Sequence, residues 1–306
     1  MTSQMYPYIA LFSFISFFGI TVFVFMYYFT YTVQDETIFE TFYGHETYDS
    51  THNNNNEQIN SNKNYEFKYE HLKKYIDWSY HLKYSPFREK LQEKIIDSHF
   101  IGKQKLLQNF SKKKIIFTGG CYGAGKSNVL KQLQKENKIN LDNFVHVDQD
   151  KMRSQIPEYE TYLRDNYYTA GFKTNKETGY IAELIQLYAM SNGYNLIVDS
   201  SLTDAEWLKQ YFDLIRSKFS DYEIIIIYVK ASWERILERN IRRGQVTHRV
   251  IPFDCLLNAY EKSPVSFDFL KNYVDKWYVI ENDYKENEID YECKRSEQLK
   301  NINFMD

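Results

Sequence analysis

Eight consecutive residues set three glycines, a lysine and a hydroxyl in a fixed order. Gly120-Cys121-Tyr122-Gly123-Ala124-Gly125-Lys126-Ser127 fits G-x-x-x-x-G-K-[ST]. Each residue type has a physical task there. Gly120, Gly123 and Gly125 let the backbone turn its N–H groups inward around phosphate oxygens without a Cβ in the way. Lys126 is spaced to reach the β- and γ-phosphates of ATP, and the Ser127 hydroxyl to ligate Mg²⁺. An apolar run precedes the motif and a helical pattern opens at Ser127. That strand–loop–helix setting separates a phosphate loop from a chance match in a glycine-rich turn, and the helix adds its positive end.

A triphosphate loop serves several chemistries, and other residues narrow the choice. A GTPase needs N-K-x-D and D-x-x-G. Here Asn175-Lys176-Glu177-Thr178 lacks the final Asp, and Asp199-Ser200-Ser201-Leu202 lacks the Gly. A motor-type ATPase carries an apolar run ending in Asp-Glu, whereas Asp199 is followed by Ser200. A small-substrate kinase uses an acid at a strand end and a late group of arginines, and both are present. Asp148 and Asp150 follow the second apolar run, where one of them could take a proton from an attacking hydroxyl. Asp148 has a plainer reading as a helix N-cap. Arg239, Arg242, Arg243 and Arg249 fall in and just after one helical stretch. They form either a lid whose planar forks hold phosphate oxygens or a solvated helix face.

The elements that must position these residues are legible as alternating patterns. Candidate strands are Ile115–Thr118, Phe144–Val147, Asn195–Asp199, Glu223–Val229 and Trp277–Ile280. Helical stretches include Ser127–Gln134, Gly179–Ser191, Asp204–Phe219 and Ser232–Arg243. Continuous apolar strands such as Ile224-Ile225-Ile226-Ile227 suit a parallel sheet covered on both faces. The class is α/β, a doubly wound parallel sheet of the phosphate-loop kinase type. Before it, residues 65–112 read as two or three helices packed on the kinase domain, with Leu72, Ile76, Leu91 and Ile95 at helical spacings and Pro86 as a break.

Tyr6 to Val33 contains no charged residue. A helix of about 20 residues spans the hydrocarbon core, so residues 1–34 read as a single-pass transmembrane anchor. A signal peptide or a buried core helix are the competing readings; the basic flank and small-residue cleavage site of the former are missing. No Lys or Arg lies near either end, so orientation rests only on the need for ATP, which puts the following domain on the cytosolic side. Residues 35–64 form a polar, Asn-rich linker, and 284–306 a polar tail. The chain carries a net charge of −3 over 306 residues, but its first 62 hold six acids and no base. The rest is mildly basic, which suits a phosphate-bearing ligand and falls short of a nucleic-acid footprint. Cys121, Cys255 and Cys293 are too few and too scattered for a disulfide framework or a zinc site.

Over residues 113–283 these features together resemble the zeta-toxin family of phosphate-loop kinases. The resemblance is carried by the strand-end VHVDQDKMRSQIPEY (Val145–Tyr159), by ELIQLYAMSNGYNLIVDSSL with Glu183 and Asp199, and by ERNIRRGQVTHRVIP with its arginines. It implies Asp150 as the catalytic base with Asp148 supporting it, and Glu183 as an acceptor contact. It also implies Asp199 near Mg²⁺ and substrate, and Arg239 and Arg249 on the nucleotide phosphates. Bacterial members phosphorylate a UDP-activated amino sugar, so the implied partner is a small hydroxyl-bearing substrate of that kind. The reading from another class is a membrane-anchored nucleotide-binding scaffold without turnover.

Overall fold

A computed structural model describes residues 65–103, 112–247, 251–283 and 299–305, all within one unit, Asp49–Asp306. The apolar stretch at 6–33, the Asn-rich linker and Arg249 lie outside the described residues. Among the described residues no helix is long and apolar enough to cross a membrane.

The strands are β1 (Lys113–Gly119), β2 (Phe144–Val147), β3 (Asn195–Asp199), β4 (Tyr222–Lys230) and β5 (Lys276–Glu281). They form a parallel sheet in the order β2-β3-β1-β4-β5. The run of isoleucines in β4 shows why such strands are apolar throughout. Ile224 and Ile226 face one layer, with Phe117 of β1; Ile225 and Ile227 face the other, with Ile116. Removing one such side chain from water is worth about 1.5–3 kcal/mol.

Helices cover both faces. In chain order they are α1 (Pro86–Ser98), α2 (Lys126–Lys135), α3 (Gln149–Arg153), α4 (Tyr159–Asn166), α5 (Ala170–Lys173), α6 (Asn175–Ser191), α7 (Ala205–Lys218), α8 (Trp233–Thr247) and α9 (Phe253–Leu270). Leu184 of α6, Phe212 of α7 and Leu270 of α9 pack on the first face. Val129, Leu130 and Leu133 of α2 pack on the second, joined by Leu299, Ile302 and Phe304. The segment 253–270 shows no clear signal in sequence because Pro264 falls inside it, where a missing N–H usually ends a helix. Its buried Leu256, Ala259, Ser263, Phe267 and Leu270 nonetheless recur every three or four residues.

The described part of the prefix holds one α-helix and a 3-10 turn, Glu70–Tyr75, and its Leu72, Ile95 and Ile96 join the first layer. Pro86 opens α1 rather than breaking a helix, with Ser85 accepting from the Arg88 N–H at 3.3 Å as N-cap. Buried Arg88 clamps two carboxylates. Its Nε and Nη2 lie 2.6 and 2.7 Å from Glu177 of α6, and its Nη1 and Nη2 lie 2.8 and 3.0 Å from Glu158. Gln92 Nε2 adds a 2.8 Å bond to Glu177. A buried charge set of this kind persists only when its partners are satisfied, so it fixes α1 against α6 and against the turn before α4.

Parallel pairing sets the strand ends in register. Thr118 lies beside Asp199, and Val147 beside Val198. The chain leaves β1 and β2 into α2 and α3 at this carboxyl edge, where open α/β sheets bind their ligands.

Candidate functional site

A cleft of about 680 Å³ opens at the carboxyl edge of the sheet. Its floor is the loop between β1 and α2. Gly120 has φ +128°, and a Cβ there would strike the Val229 carbonyl. Gly125, the N-cap of α2, has φ +94°, and a Cβ there would strike the Asn282 side chain. Both positions therefore require glycine.

Two side chains brace the loop from behind. Asn282 Nδ2 donates to the Ala124 carbonyl at 2.7 Å. Arg239 Nη1 donates to the carbonyls of Gly123 and Ala124 at 3.1 and 3.2 Å, and its Nη2 to the Asn282 carbonyl at 2.8 Å. Planar trans peptides that give their carbonyls to these braces turn the following N–H groups away from them. Arg239 also lines the cleft. Lys126 folds back over the loop, with Nζ 2.8 Å from the Gly120 carbonyl and 3.3 Å from that of Cys121. Burial holds its amine below the usual lysine range, against the opposing pull of Asp199. Ser127 is exposed to the cleft at the head of α2. Tyr122 lines the same wall. The Cys121 thiol is buried, points at the Leu256 carbonyl at 3.5 Å, and is pushed up to about 11 by burial.

The opposite wall rises from β2 and β3. Asp148 does cap α3: its Oδ1 accepts from the N–H of Asp150 at 3.0 Å and of Lys151 at 3.3 Å. It lines the cleft as well. Asp150, in the first turn of α3, lies between two guanidinium groups. Arg153 Nε is 3.5 Å from Oδ1, and Arg243 Nη2 of α8 is 3.5 Å from Oδ2. Arg153 is itself buried and tethered, donating to Thr174 Oγ1 at 2.8 Å and Asn175 Oδ1 at 2.9 Å. Asp199 at the end of β3 accepts from the Thr118 hydroxyl. Its Oδ2 lies 3.5 Å from His146 Nε2. Burial would raise the Asp199 carboxyl, but His146, Thr118 and Lys126 outweigh it and hold it below the ordinary carboxylate range.

The cleft thus brings together Tyr122, Gly123, Gly125, Lys126, Ser127, Asp148, Asp150, Asp199 and Arg239. Gly120, Cys121 and Ala124 shape the loop from beneath. Glu183 is not among the lining residues; its carboxylate lies 2.7 Å from His81 Nε2 in the prefix. Lining cations are Lys126, Lys151, Arg153, Arg239, Arg242 and Arg243, against the acids Asp148, Asp150 and Asp199. That excess of positive charge suits a polyphosphate. Arg153, His146, Thr118 and Asn282 were not singled out by the sequence pattern. Only His146, two residues before Asp148 on an apolar strand, offered a signal there, as a polar residue interrupting the run.

The sequence model of the zeta toxin family matches residues 97–292. Toxin PezT of Streptococcus pneumoniae is 31% identical over 120 residues, covering 38% of this chain and 44% of that protein. L-seryl-tRNA(Sec) kinase of Methanococcus maripaludis is 28% identical over 153 residues, covering 48% of this chain and 51% of that one. The chain therefore spans about half the length of these curated relatives. A solved structure from the PezAT chromosomal toxin–antitoxin system of Streptococcus pneumoniae superposes with a TM-score of 0.49 at 22% identity, covering 72% of this chain and 87% of that one.

Proposed function

The chain belongs to the zeta toxin family, and from that premise we propose that it is an ATP-dependent kinase that phosphorylates a hydroxyl of a small metabolite or nucleotide sugar. The observation that carries this reading is the placement of Asp150 in the same cleft as Lys126 and Ser127, between Arg153 and Arg243. A phosphoryl transferase needs a base at the acceptor and cations around the moving charge, and this arrangement supplies both.

In this reading the loop amides and Lys126 hold the β- and γ-phosphates. On nucleotide binding the Lys126 amine exchanges its carbonyl partners, Gly120 and Cys121, for phosphate oxygens. Ser127 and Asp199 are the residues that would hold Mg²⁺, and both fit it: a cleft-facing hydroxyl and a carboxylate kept ionised. When bound, Mg²⁺ neutralises charge on the β- and γ-phosphate oxygens. Asp150 takes the proton of the acceptor hydroxyl, whose oxygen forms a bond to the γ-phosphorus as the bond to the β-bridging oxygen breaks and ADP leaves. Arg243, beside Asp150, is placed to stabilise the charge that develops in transfer, and Arg239 holds the loop in shape. Arg249 is assigned to a phosphate contact on the family pattern; the same pattern assigns Glu183 to the acceptor, although its carboxylate faces His81 outside the cleft lining.

The apolar stretch at 6–33 supports a membrane anchor for this kinase, with its catalytic part on the cytosolic, ATP-containing side. Partition of the full chain into the carbonate-resistant membrane fraction tests that part. The kinase reading is tested by incubating the full chain with γ-labelled ATP and pools of sugar nucleotides and nucleosides, and looking for a labelled small molecule. ATP binding without labelled product in any pool would favour a nucleotide-binding scaffold.

A further inference from the structure

Beside the phosphate loop, at the β2–β3 edge, one imidazole and two carboxylates converge. The register explains the convergence. His146 stands opposite Ile197 and Val147 opposite Val198, so the two-residue period of strands sends His146, Asp148 and Asp199 to one face of the sheet. Each residue offers one ligand atom there, and these atoms all lie within 4.8 Å of one another. We propose that His146, Asp148 and Asp199 bind a divalent transition-metal cation, of the Mn²⁺ or Co²⁺ class, in the absence of nucleotide.

The hydrogen-bond pattern is what a metal site requires. His146 Nε2 is a buried nitrogen whose only neighbour of hydrogen-bonding type among the described residues is the Asp199 carboxylate, at the outer limit of hydrogen-bond distance. It sits 3.5 Å from Asp199 Oδ2, close enough to share an ion but misaligned for donating to it. A buried ring nitrogen held by so long a contact gains when a cation takes its lone pair. The two carboxylates are oriented by other groups. Asp199 Oδ1 takes the Thr118 hydroxyl, and Asp148 Oδ1 takes the first amides of α3. Each therefore keeps a second oxygen, the arrangement in which outer donors aim metal ligands. The Lys151 amine, 3.5 Å from Asp148 Oδ2, belongs to a largely exposed side chain that can move aside.

The donor set decides which cation. Mg²⁺ prefers oxygen ligands and keeps its waters, whereas an imidazole with two carboxylates suits Mn²⁺, Co²⁺ or Zn²⁺. Asp199, which would also hold the Mg²⁺ that accompanies ATP, would be a ligand of this ion as well. The inference does not depend on the kinase reading, because the ligands are complete without phosphate.

The test uses the full chain without nucleotide, titrated with Co²⁺ and followed by visible absorption, and with Mn²⁺ followed by loss of its free-ion paramagnetic resonance signal. One ion should bind per chain, and Mg²⁺ should compete at least about tenfold more weakly. His146→Gln should weaken Co²⁺ binding by at least about tenfold and remove the imidazole contribution to its spectrum. Asp148→Asn keeps a good N-cap for α3 and should weaken the same binding while leaving the thermal transition near wild type. Absence of Co²⁺ and Mn²⁺ binding without nucleotide would overturn the proposal. So would a folded Asp148→Asn variant that binds Co²⁺ as the native chain does.

Discussion

Arg243 of α8 reaches across the cleft to within 3.5 Å of Asp150 Oδ2 on α3. The two residues are 93 positions apart in sequence, and they join the helical lid to the wall that carries the proposed base. Before nucleotide enters, the lid cation rests on the acid; once a polyphosphate occupies the cleft, that cation has a second anion to serve. Arg243→Ala should therefore lower the rate of phosphoryl transfer by about 10²-fold, the scale of a lost charge contact in the transition state. ATP affinity should fall far less, since Lys126 and the loop amides remain. Single-turnover rates and ATP binding, measured on the same variant, check this. Equal losses in both would place Arg243 on the ground-state nucleotide instead.

Lys126→Ala should weaken ATP binding by at least about tenfold, or ~1.4 kcal/mol. The amine is partly buried over the loop, where the carbonyls of Gly120 and Cys121 and the charges of Asp199 and Asp150 offset its desolvation only in part. A bound phosphate would complete its coordination. Calorimetric titration with MgATP reads the loss, and an unchanged affinity would remove Lys126 from the binding site.

Arg88→Ala should destabilise the fold by about 3–5 kcal/mol, because it strands the fully buried Glu177 without its cation. Arg88 also ties Glu158, the residue before α4, whose Tyr159 and Leu163 line the cleft. Denaturant unfolding followed by far-ultraviolet dichroism gives the difference. A loss below about 1 kcal/mol would mean that the prefix is not fixed to α6 through this clamp.

Cys121 should resist alkylation near neutral pH although it belongs to the nucleotide loop. Burial raises its thiol to about 11, so below that pH the reactive thiolate is the minor form. The sign follows directly: each unit of rising pH should speed its modification about tenfold, with no plateau before the thiol titrates. Mass spectrometry of the peptide containing Cys121 after timed iodoacetamide treatment measures this. A rate that levels off near pH 7 or 8 would show a lowered thiol instead.

How much of this was legible beforehand follows from the range of each interaction. The strand Phe144–Val147 and the strand Asn195–Asp199 coincide with their mainly apolar runs, since burial on both faces calls for apolar side chains along most of each strand. Glycines, lysine and serine of the loop sit side by side in sequence, so their chemistry could be read directly. The helix Phe253–Leu270 was hidden by Pro264, whose local cost is outweighed by packing on the sheet. Leu299, Ile302 and Phe304 are buried within a stretch whose composition reads as polar.

The contacts that specify the site were the least legible. Asn282 reaches Ala124 from 158 residues away, Arg239 reaches Gly123 from 116, and His81 reaches Glu183 from 102. No local pattern encodes such pairs. Arg153 carries no local signal, and only the tertiary fold shows it buried against Thr174 and beside Asp150.

The central claim is that Asp150 serves transfer while Lys126 serves binding. The measurement that tests it most directly is γ-phosphoryl transfer from labelled ATP to a small-molecule acceptor by the full chain, run beside its Asp150→Asn variant with ATP affinity determined for both. The account predicts a labelled product from the native chain. For the variant it predicts a loss of at least about 10²-fold in product formation, with ATP affinity within about threefold of native. Product formed equally well by Asp150→Asn, or an ATP affinity that collapses with it, would contradict the account.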